Sequence, residues 1–197
     1  GESVDKPLEY YKNNIDSLIN VLTNITKEGR CGSVVFSSSC TVYGQPSPEH
    51  LPVSESAPLQ AATSPYGRTK QICEDILSDS VYALNGNLKV IALRYFNPIG
   101  AHPSAIIGEL PRGVPQNLLP FVTQTAIGIR ERLSVFGDDY NTPDGSCIRD
   151  YIYVCDLAKA HVKAVDRMLE KQNEMDGDME YFNIGTGKGL SVLEVVN

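Results

Sequence analysis

The chain holds no apolar run approaching the ~20 residues that a membrane-spanning helix needs. It also lacks any cluster of lysine and arginine, and its net charge is −7. These absences argue against a membrane and against nucleic acid as partners. Among the five cysteines, Cys31, Cys40, Cys73, Cys147 and Cys155, there is no C-x-x-C, the count is odd and the spacing is irregular. That pattern favours buried free thiols in a reducing cytoplasm over a disulfide framework. The three histidines, His50, His102 and His161, lie far apart, so no metal site is expected. His161 falls within a helical apolar pattern, which suits a core role. No secretory pattern is seen, so Asn24-Ile25-Thr26 reads as a chance match to a glycosylation acceptor. There is no internal repeat.

What is present is a soluble globular composition, 42% hydrophobic and 21% charged, in 197 residues, enough for a sizeable core. Pro7 to about Lys27 reads as one amphipathic helix, with Leu8, Tyr11, Ile15, Leu18, Leu22 and Ile25 in a stripe. Ser33 to Ser38 reads as a buried strand, Gly44 to Pro65 as a loop, Pro65 to about Ala83 as a helix, and Leu88 to Arg94 as a strand. Alternating helices and strands imply crossover units and a parallel sheet. Asn97 to Asn117, with four prolines and three glycines, is loop-like. Beyond it the pattern predicts a helix over Leu118 to Ile129, short strands at Leu133 to Phe136 and Tyr151 to Val154, a helix from Asp156 to about Leu169, a strand at Tyr181 to Ile184, and the start of another helix. The chain opens without an initial strand and stops within a helix, so it reads as the middle of something longer.

The segment richest in chemistry is Ser64-Pro65-Tyr66-Gly67-Arg68-Thr69-Lys70, with Ser37-Ser38-Ser39 upstream. On a helix, Tyr66 and Lys70 share one face. Pro65 suits the first turn and Ser64 can cap it. A phenol, pKa about 10, is a useful base near neutrality only when that value is lowered, and a nearby ammonium does so. The serines follow the apolar run Val34-Val35-Phe36, at a strand end where open parallel sheets bind ligands. The set suits removing a proton from an alcohol while hydride leaves its carbon. A solvated tyrosine–lysine pair is the default for this spacing. The stripe Tyr66, Lys70, Cys73, Leu77 instead points the pair inward.

These residues resemble the extended short-chain dehydrogenase/reductase superfamily and, within it, the UDP-glucose 4-epimerase (UDP-galactose 4-epimerase) family. The resemblance rests on Pro7-Leu8-Glu9-Tyr10-Tyr11 with Asn13-Asn14, Phe36 to Gly44, Ser64-Pro65-Tyr66-Gly67 with Lys70, Arg94 to Pro98 with Gly100-Ala101-His102-Pro103, and Arg149-Asp150-Tyr151-Ile152. It implies an α/β fold: a partial Rossmann-like, doubly wound parallel sheet with part of a smaller C-terminal substrate-binding domain. Residues 1–96 would be the C-terminal portion of the NAD-binding domain. Residues 97–197 would be mainly the UDP-sugar region, with 151–170 returning to the first domain.

The implied activity is NAD-dependent interconversion of UDP-glucose and UDP-galactose through a transient 4-keto sugar, in galactose metabolism. Tyr66 would be the base, Lys70 would hold the nicotinamide ribose and lower the Tyr66 pKa, and Ser39 would bond the reacting oxygen. Ser39, Tyr66 and Lys70 would also contact NAD, as would Asn13 and Phe96. Phe96 could instead be core. Asn97, Asn117, Leu118, Ser134, Val135, Phe136 and Arg149 would bind the UDP-sugar, Arg149 through a guanidinium fork on the diphosphate. Its alternative is a surface ion pair with Asp150. The resemblance further implies a cytoplasmic homodimer, with the helices from Pro7 and Pro65 as candidate seams.

Three departures stand out. The glycine-rich loop for the NAD pyrophosphate, and its acidic ribose reader, are absent. Gly185-Thr186-Gly187-Lys188-Gly189 has neither G-x-G-x-x-G nor Walker spacing and is no substitute. Tyr153 stands where the family usually has histidine, a change bearing on packing more than chemistry. The family's C-terminal substrate elements are missing. A 4,6-dehydratase would need carboxylates at positions 40 and 41, which are Cys40 and Thr41. Other UDP-sugar 4-epimerases or reductases, and an isolated segment without activity, remain as alternatives.

Overall fold

The computed structural model describes residues 1–28, 32–111, 113–170 and 178–197. Its elements in chain order are α1 (Glu2–Asp5), α2 (Pro7–Tyr11), α3 (Ser17–Glu28), β1 (Ser33–Ser39), α4 (Pro65–Leu84), β2 (Lys89–Tyr95), β3 (Asn97–Ile99), α5 (Leu118–Ala126), β4 (Ile148–Tyr153), α6 (Val154–Glu170), β5 (Met179–Ile184), β6 (Gly189–Ser191) and α7 (Val192–Val196). A π turn, Lys12–Asp16, joins α2 to α3, and 3-10 turns cover Cys40–Tyr43 and Pro48–His50. Two compact units result: Gly1–Tyr95 with Lys159–Ile184, and Phe96–Ala158 with Gly185–Asn197.

In the first unit, β1, β2 and β5 form a parallel sheet in the order β1-β2-β5. Successive strand residues face opposite sides. Val90 therefore packs with Leu18 and Leu22 of α3 and Cys73 and Leu77 of α4. Ile91 and Leu93 pack with Ala164 and Met168 of α6. Covered on both faces, the central strand reads as a continuous apolar run, with Val90 to Leu93 at most 2% exposed. This is the α/β, partial Rossmann-like, doubly wound parallel sheet that the sequence implied. β1 pairs on one side only among the described residues, so Val34 to Ser37 are half-buried rather than buried.

Three local expectations need correction. The helix expected from Pro7 to Lys27 is broken by the π turn. A π turn holds an extra residue and resets the helical phase, so Leu8 is 81% exposed although Leu18 and Leu22, in the same predicted stripe, are buried. Leu133 to Phe136 forms no strand. An apolar alternation without a ladder partner stays irregular, and Phe136 is exposed. The helix expected through Ile129 ends at Ala126.

The second unit is built on β3-β4-β6, with β3 parallel and β6 antiparallel to β4. After β3 the chain turns at Gly100, whose φ of +84 suits glycine. A Cβ there would lie 2.9 Å from Cδ2 of Tyr153. The Tyr153 hydroxyl donates to the Ala101 carbonyl at 2.8 Å. The unusual tyrosine is thus a packing residue that clamps the turn.

Of the cysteines, Cys73 is buried and Cys40, Cys147 and Cys155 are half-buried, none of them in a disulfide; Cys31 lies outside the described residues. His161 Nε2 lies 3.2 Å from the Ser37 hydroxyl.

Candidate active site

The carboxyl end of β1 meets the first turns of α4, and this junction brings Ser39, Tyr66 and Lys70 together. Helix α4 starts where the sequence says it should. The Ser64 hydroxyl accepts from the Gly67 N–H at 3.1 Å, and Pro65 occupies the first turn. Gly67 has a second role that sequence alone did not show. A Cβ there would lie 3.2 Å from the Thr41 carbonyl oxygen and 3.3 Å from Thr41 Cβ. Its lack of a side chain lets the helix approach the 3-10 turn that follows Ser39.

Ser39 is buried, and its Oγ accepts from the Thr41 N–H at 3.3 Å and from the Thr41 hydroxyl at 3.0 Å. With both of those donors directed at it, the Ser39 proton is left for another acceptor, and the hydroxyl lies near enough to Tyr66 to favour its phenolate. Burial raises the Tyr66 phenol above the ordinary tyrosine value, and the Ser39 bond opposes that rise. The expected lowering by Lys70 does not dominate among the protein's own groups. Lys70 Nζ donates to the Ser37 carbonyl at 2.8 Å and stands 5.6 Å from the Tyr66 ring centroid. Burial pulls the Lys70 amine below the ordinary lysine value, while Cys73 and Glu74 act the other way. Tyr10 of α2 meets the Tyr66 ring edge-on, with centroids 6.3 Å apart.

Behind this junction Thr69 is fully buried. Its hydroxyl donates to the Tyr66 carbonyl at 2.7 Å and accepts from Asn14 Nδ2 at 2.8 Å. Asn13, next to it in the π turn, is exposed. Deeper still, Glu74 and Arg94 form a buried bidentate pair, with contacts of 3.0 and 2.6 Å. Two signals for this pair were legible: an arginine in an apolar strand, and a glutamate four residues after Lys70 on the inward face of a helix.

The remaining predicted residues lie in the second unit. Phe96 is half-buried, and a Cβ on Gly185 would lie 2.9 Å from its Cδ2. Asn97 Nδ2 donates to the Asp150 carbonyl at 3.0 Å, across the β3–β4 pair. Asn117 caps α5 in position, without a side-chain cap bond, and its Nδ2 donates to Glu109 at 3.0 Å. Leu118 is half-buried, whereas Ser134, Val135 and Phe136 are exposed. Val135 lines a cavity of about 370 Å³ with Gly137, Asp138, Asp144, Ser146 and Leu193. Arg149 is exposed and donates to the Ile148 carbonyl at 2.7 Å rather than pairing with Asp150. The Asp150 carboxylate instead accepts from the Thr186 N–H at 2.9 Å, the Thr186 hydroxyl at 2.7 Å and the Gly187 N–H at 2.8 Å. The Thr186 and Gly187 amides of the Gly185–Gly189 turn are thereby taken by an internal anion.

Known proteins share this sequence and fold. A profile of the NAD dependent epimerase/dehydratase family matches residues 1–185. UDP-glucose 4-epimerase 1 of Oryza sativa subsp. japonica is 52% identical over 196 residues, covering all of this chain and 53% of the rice protein. The crystal structure of UDP-glucose 4-epimerase from Bifidobacterium longum in complex with NAD+ and UDP superposes with a TM-score of 0.88 at 46% identity, covering 99% of this chain and 55% of that one. The enzyme from Stenotrophomonas maltophila, with bound NAD and formylated UDP-arabinopyranose, gives 0.89 at 46% identity, over 99% of this chain and 55% of that one. The chain thus spans about half the length of the relatives it matches. Its sheet, its strand-end serines and its tyrosine–lysine helix all fall inside the matched region, and the chain belongs to the NAD dependent epimerase/dehydratase family.

Proposed function

We propose that this chain carries the proton-handling half of an NAD-dependent UDP-glucose 4-epimerase acting on UDP-glucose and UDP-galactose. The observation that carries the reading is the meeting of Ser39, Tyr66 and Lys70 at the end of a parallel strand. Ser39 opposes the rise that burial imposes on the Tyr66 phenol, and the positive nicotinamide of NAD, when bound, would lower it further, so that Tyr66 can accept the proton of a sugar 4-hydroxyl. Thr41 orients that serine, as its two bonds to Ser39 Oγ leave the serine proton for the phenol or the substrate oxygen. Position 41 therefore supports an alcohol-handling hydroxyl, whereas dehydration needs an acid there.

The donor set suits the nicotinamide ribose end of NAD. An ammonium has three donors, and Lys70 directs one to Ser37, leaving others for a ribose diol. NAD, when bound, accepts and returns the hydride, so the overall reaction is redox-neutral. Asn13 and Phe96 would add contacts to it. Asn97, Asn117, Leu118, Ser134, Val135, Phe136 and Arg149 would hold the UDP-sugar, with Arg149 exposed for a diphosphate. The first unit would be the NAD-binding portion and the second the UDP-sugar portion. The full-length protein would be a cytoplasmic homodimer with α2, α3 and α4 at its seam. Free thiols suit a reducing compartment.

A second reading concerns the 197 residues alone. Asp150 already holds the Thr186 and Gly187 amides of the glycine-rich turn, which supports the reading that the isolated chain is inactive. The test measures UDP-galactose conversion by the full-length protein carrying this segment, by its Tyr66→Phe variant and by the isolated chain. Tyr66→Phe should lose about 10²- to 10⁴-fold in turnover with UDP binding kept. Unchanged turnover would remove Tyr66 as base, and activity of the isolated chain would remove the second reading.

A further inference from the structure

Three consecutive residues of β1 grip three consecutive turns of α4. Ser39 stands beside Tyr66 and favours its phenolate, the Ser37 carbonyl accepts from Lys70 at 2.8 Å, and the Ser38 hydroxyl donates to Glu74 Oε1 at 2.5 Å. The first two contacts belong to the site; the third lies behind it. Glu74 is in turn clamped by Arg94, through Nε to Oε1 at 3.0 Å and Nη2 to Oε2 at 2.6 Å. Arg94 Nη1 donates to the Tyr43 hydroxyl at 3.0 Å, and Tyr43 donates to Asn183 Oδ1 at 2.7 Å. Tyr43 closes the 3-10 turn that starts directly after Ser39, so the chain of contacts returns to the strand end where it began. Ser38 is 0% exposed, Tyr43 1%, and Glu74 and Arg94 4% each.

A buried ion pair adds little stability over a well-packed apolar pair, since desolvation consumes most of its attraction. Its distinctive consequence is geometric. A guanidinium fork holds a carboxylate in one orientation, and here that carboxylate fixes Ser38 between the two residues that meet Lys70 and Tyr66. We propose that Glu74 is a positioning residue for the proton-handling site, acting through Ser38 and held in place by Arg94. The proposal rests on the function assigned above, but it concerns how α4 registers against β1 and can be read without turnover.

The test uses the full-length protein carrying this segment. Ser38→Ala removes one hydroxyl, and Glu74→Leu with Arg94→Met replaces the ion pair by apolar groups so that neither charge is left alone. For each, the thermal midpoint, kcat and KM for UDP-galactose, and the titration of Tyr66 by carbon-13 NMR of its ring, assigned with Tyr66→Phe, are measured. Both variants should stay folded, lose about 10- to 100-fold in kcat with KM within about twofold, and move the Tyr66 titration upward as Ser39 shifts away from the phenol. A folded double variant with wild-type kcat and wild-type Tyr66 titration would overturn the proposal and leave the pair a structural one. Should the double variant fail to fold, Ser38→Ala decides by the same readouts. Should the wild type not convert UDP-galactose, the functional reading fails, and the Tyr66 titration alone decides whether Glu74 positions it.

Discussion

Asn14 Nδ2 donates to Thr69 Oγ1 at 2.8 Å, across fifty-five positions of sequence, and ties the π turn to the helix that carries Tyr66. The same hydroxyl donates to the Tyr66 carbonyl, and Cys73 Sγ reaches the Asn14 carbonyl at 3.7 Å. A π turn re-aims side chains that an α-helix would place elsewhere, and here it sends Asn14 inward and leaves Asn13 exposed.

Thr69→Val keeps the shape but removes this hub. It leaves the half-buried Asn14 amide without its acceptor and removes the side-chain donor to the Tyr66 carbonyl, and an unsatisfied group of this kind costs about 1–3 kcal/mol. We expect a loss of that order in denaturant unfolding of the full-length protein. A loss near zero would mean that water or a shifted Asn14 replaces the bond.

Gly67→Ala sets two effects against each other. Alanine gains about 1 kcal/mol in helix propensity. Its Cβ would press on the Thr41 carbonyl at 3.2 Å, which already accepts from the Gly44 N–H at 3.2 Å and cannot easily move aside. Overpacking of this kind costs about 1–3 kcal/mol, so the variant should be less stable and turn over more slowly. A more stable variant with full activity would show that the turn yields.

Ser39→Ala should raise the Tyr66 pKa further. Burial already holds it above the ordinary value, and the Ser39 bond is the main effect pulling it back. A group with a raised folded pKa contributes stability that is present below its unfolded value, about 10, and lost as pH rises through the folded value. Tyr66→Phe should therefore flatten the alkaline fall of the thermal midpoint, and Ser39→Ala should deepen that fall and extend it to higher pH, with its onset unchanged. NMR titration of Tyr66 gives the direction independently.

Asp150→Ala should release the Gly185–Gly189 turn. Its carboxylate holds the Thr186 and Gly187 amides, so amide hydrogen exchange at both positions should quicken markedly while exchange in β1 and β2 stays unchanged. Unaltered protection at both amides would assign the turn's order to other contacts.

Much of the site was legible because its signals are local. Ser64 and Pro65 announce a helix start, the tyrosine–lysine spacing shares one face, and an apolar run ending in serines marks a strand end. These follow from bond geometry within a few residues. The strand predicted at Leu133 to Phe136 failed because alternation shows only that a segment could pair, while a ladder needs a neighbour that sequence does not place. The continuous helix from Pro7 failed because an apolar stripe does not reveal an inserted residue in one turn.

By itself, then, the sequence determined the alternation of helices and strands and the Ser39, Tyr66 and Lys70 set, all written in short-range periodicity and capping. Tertiary structure decided what surrounds that set: Thr69 bound to Asn14, Gly67 against Thr41, Asp150 filling the glycine-rich turn, and Glu74 joined to Ser38 and Arg94. Each joins residues far apart in the chain, and such pairings exist only once packing has chosen which faces meet.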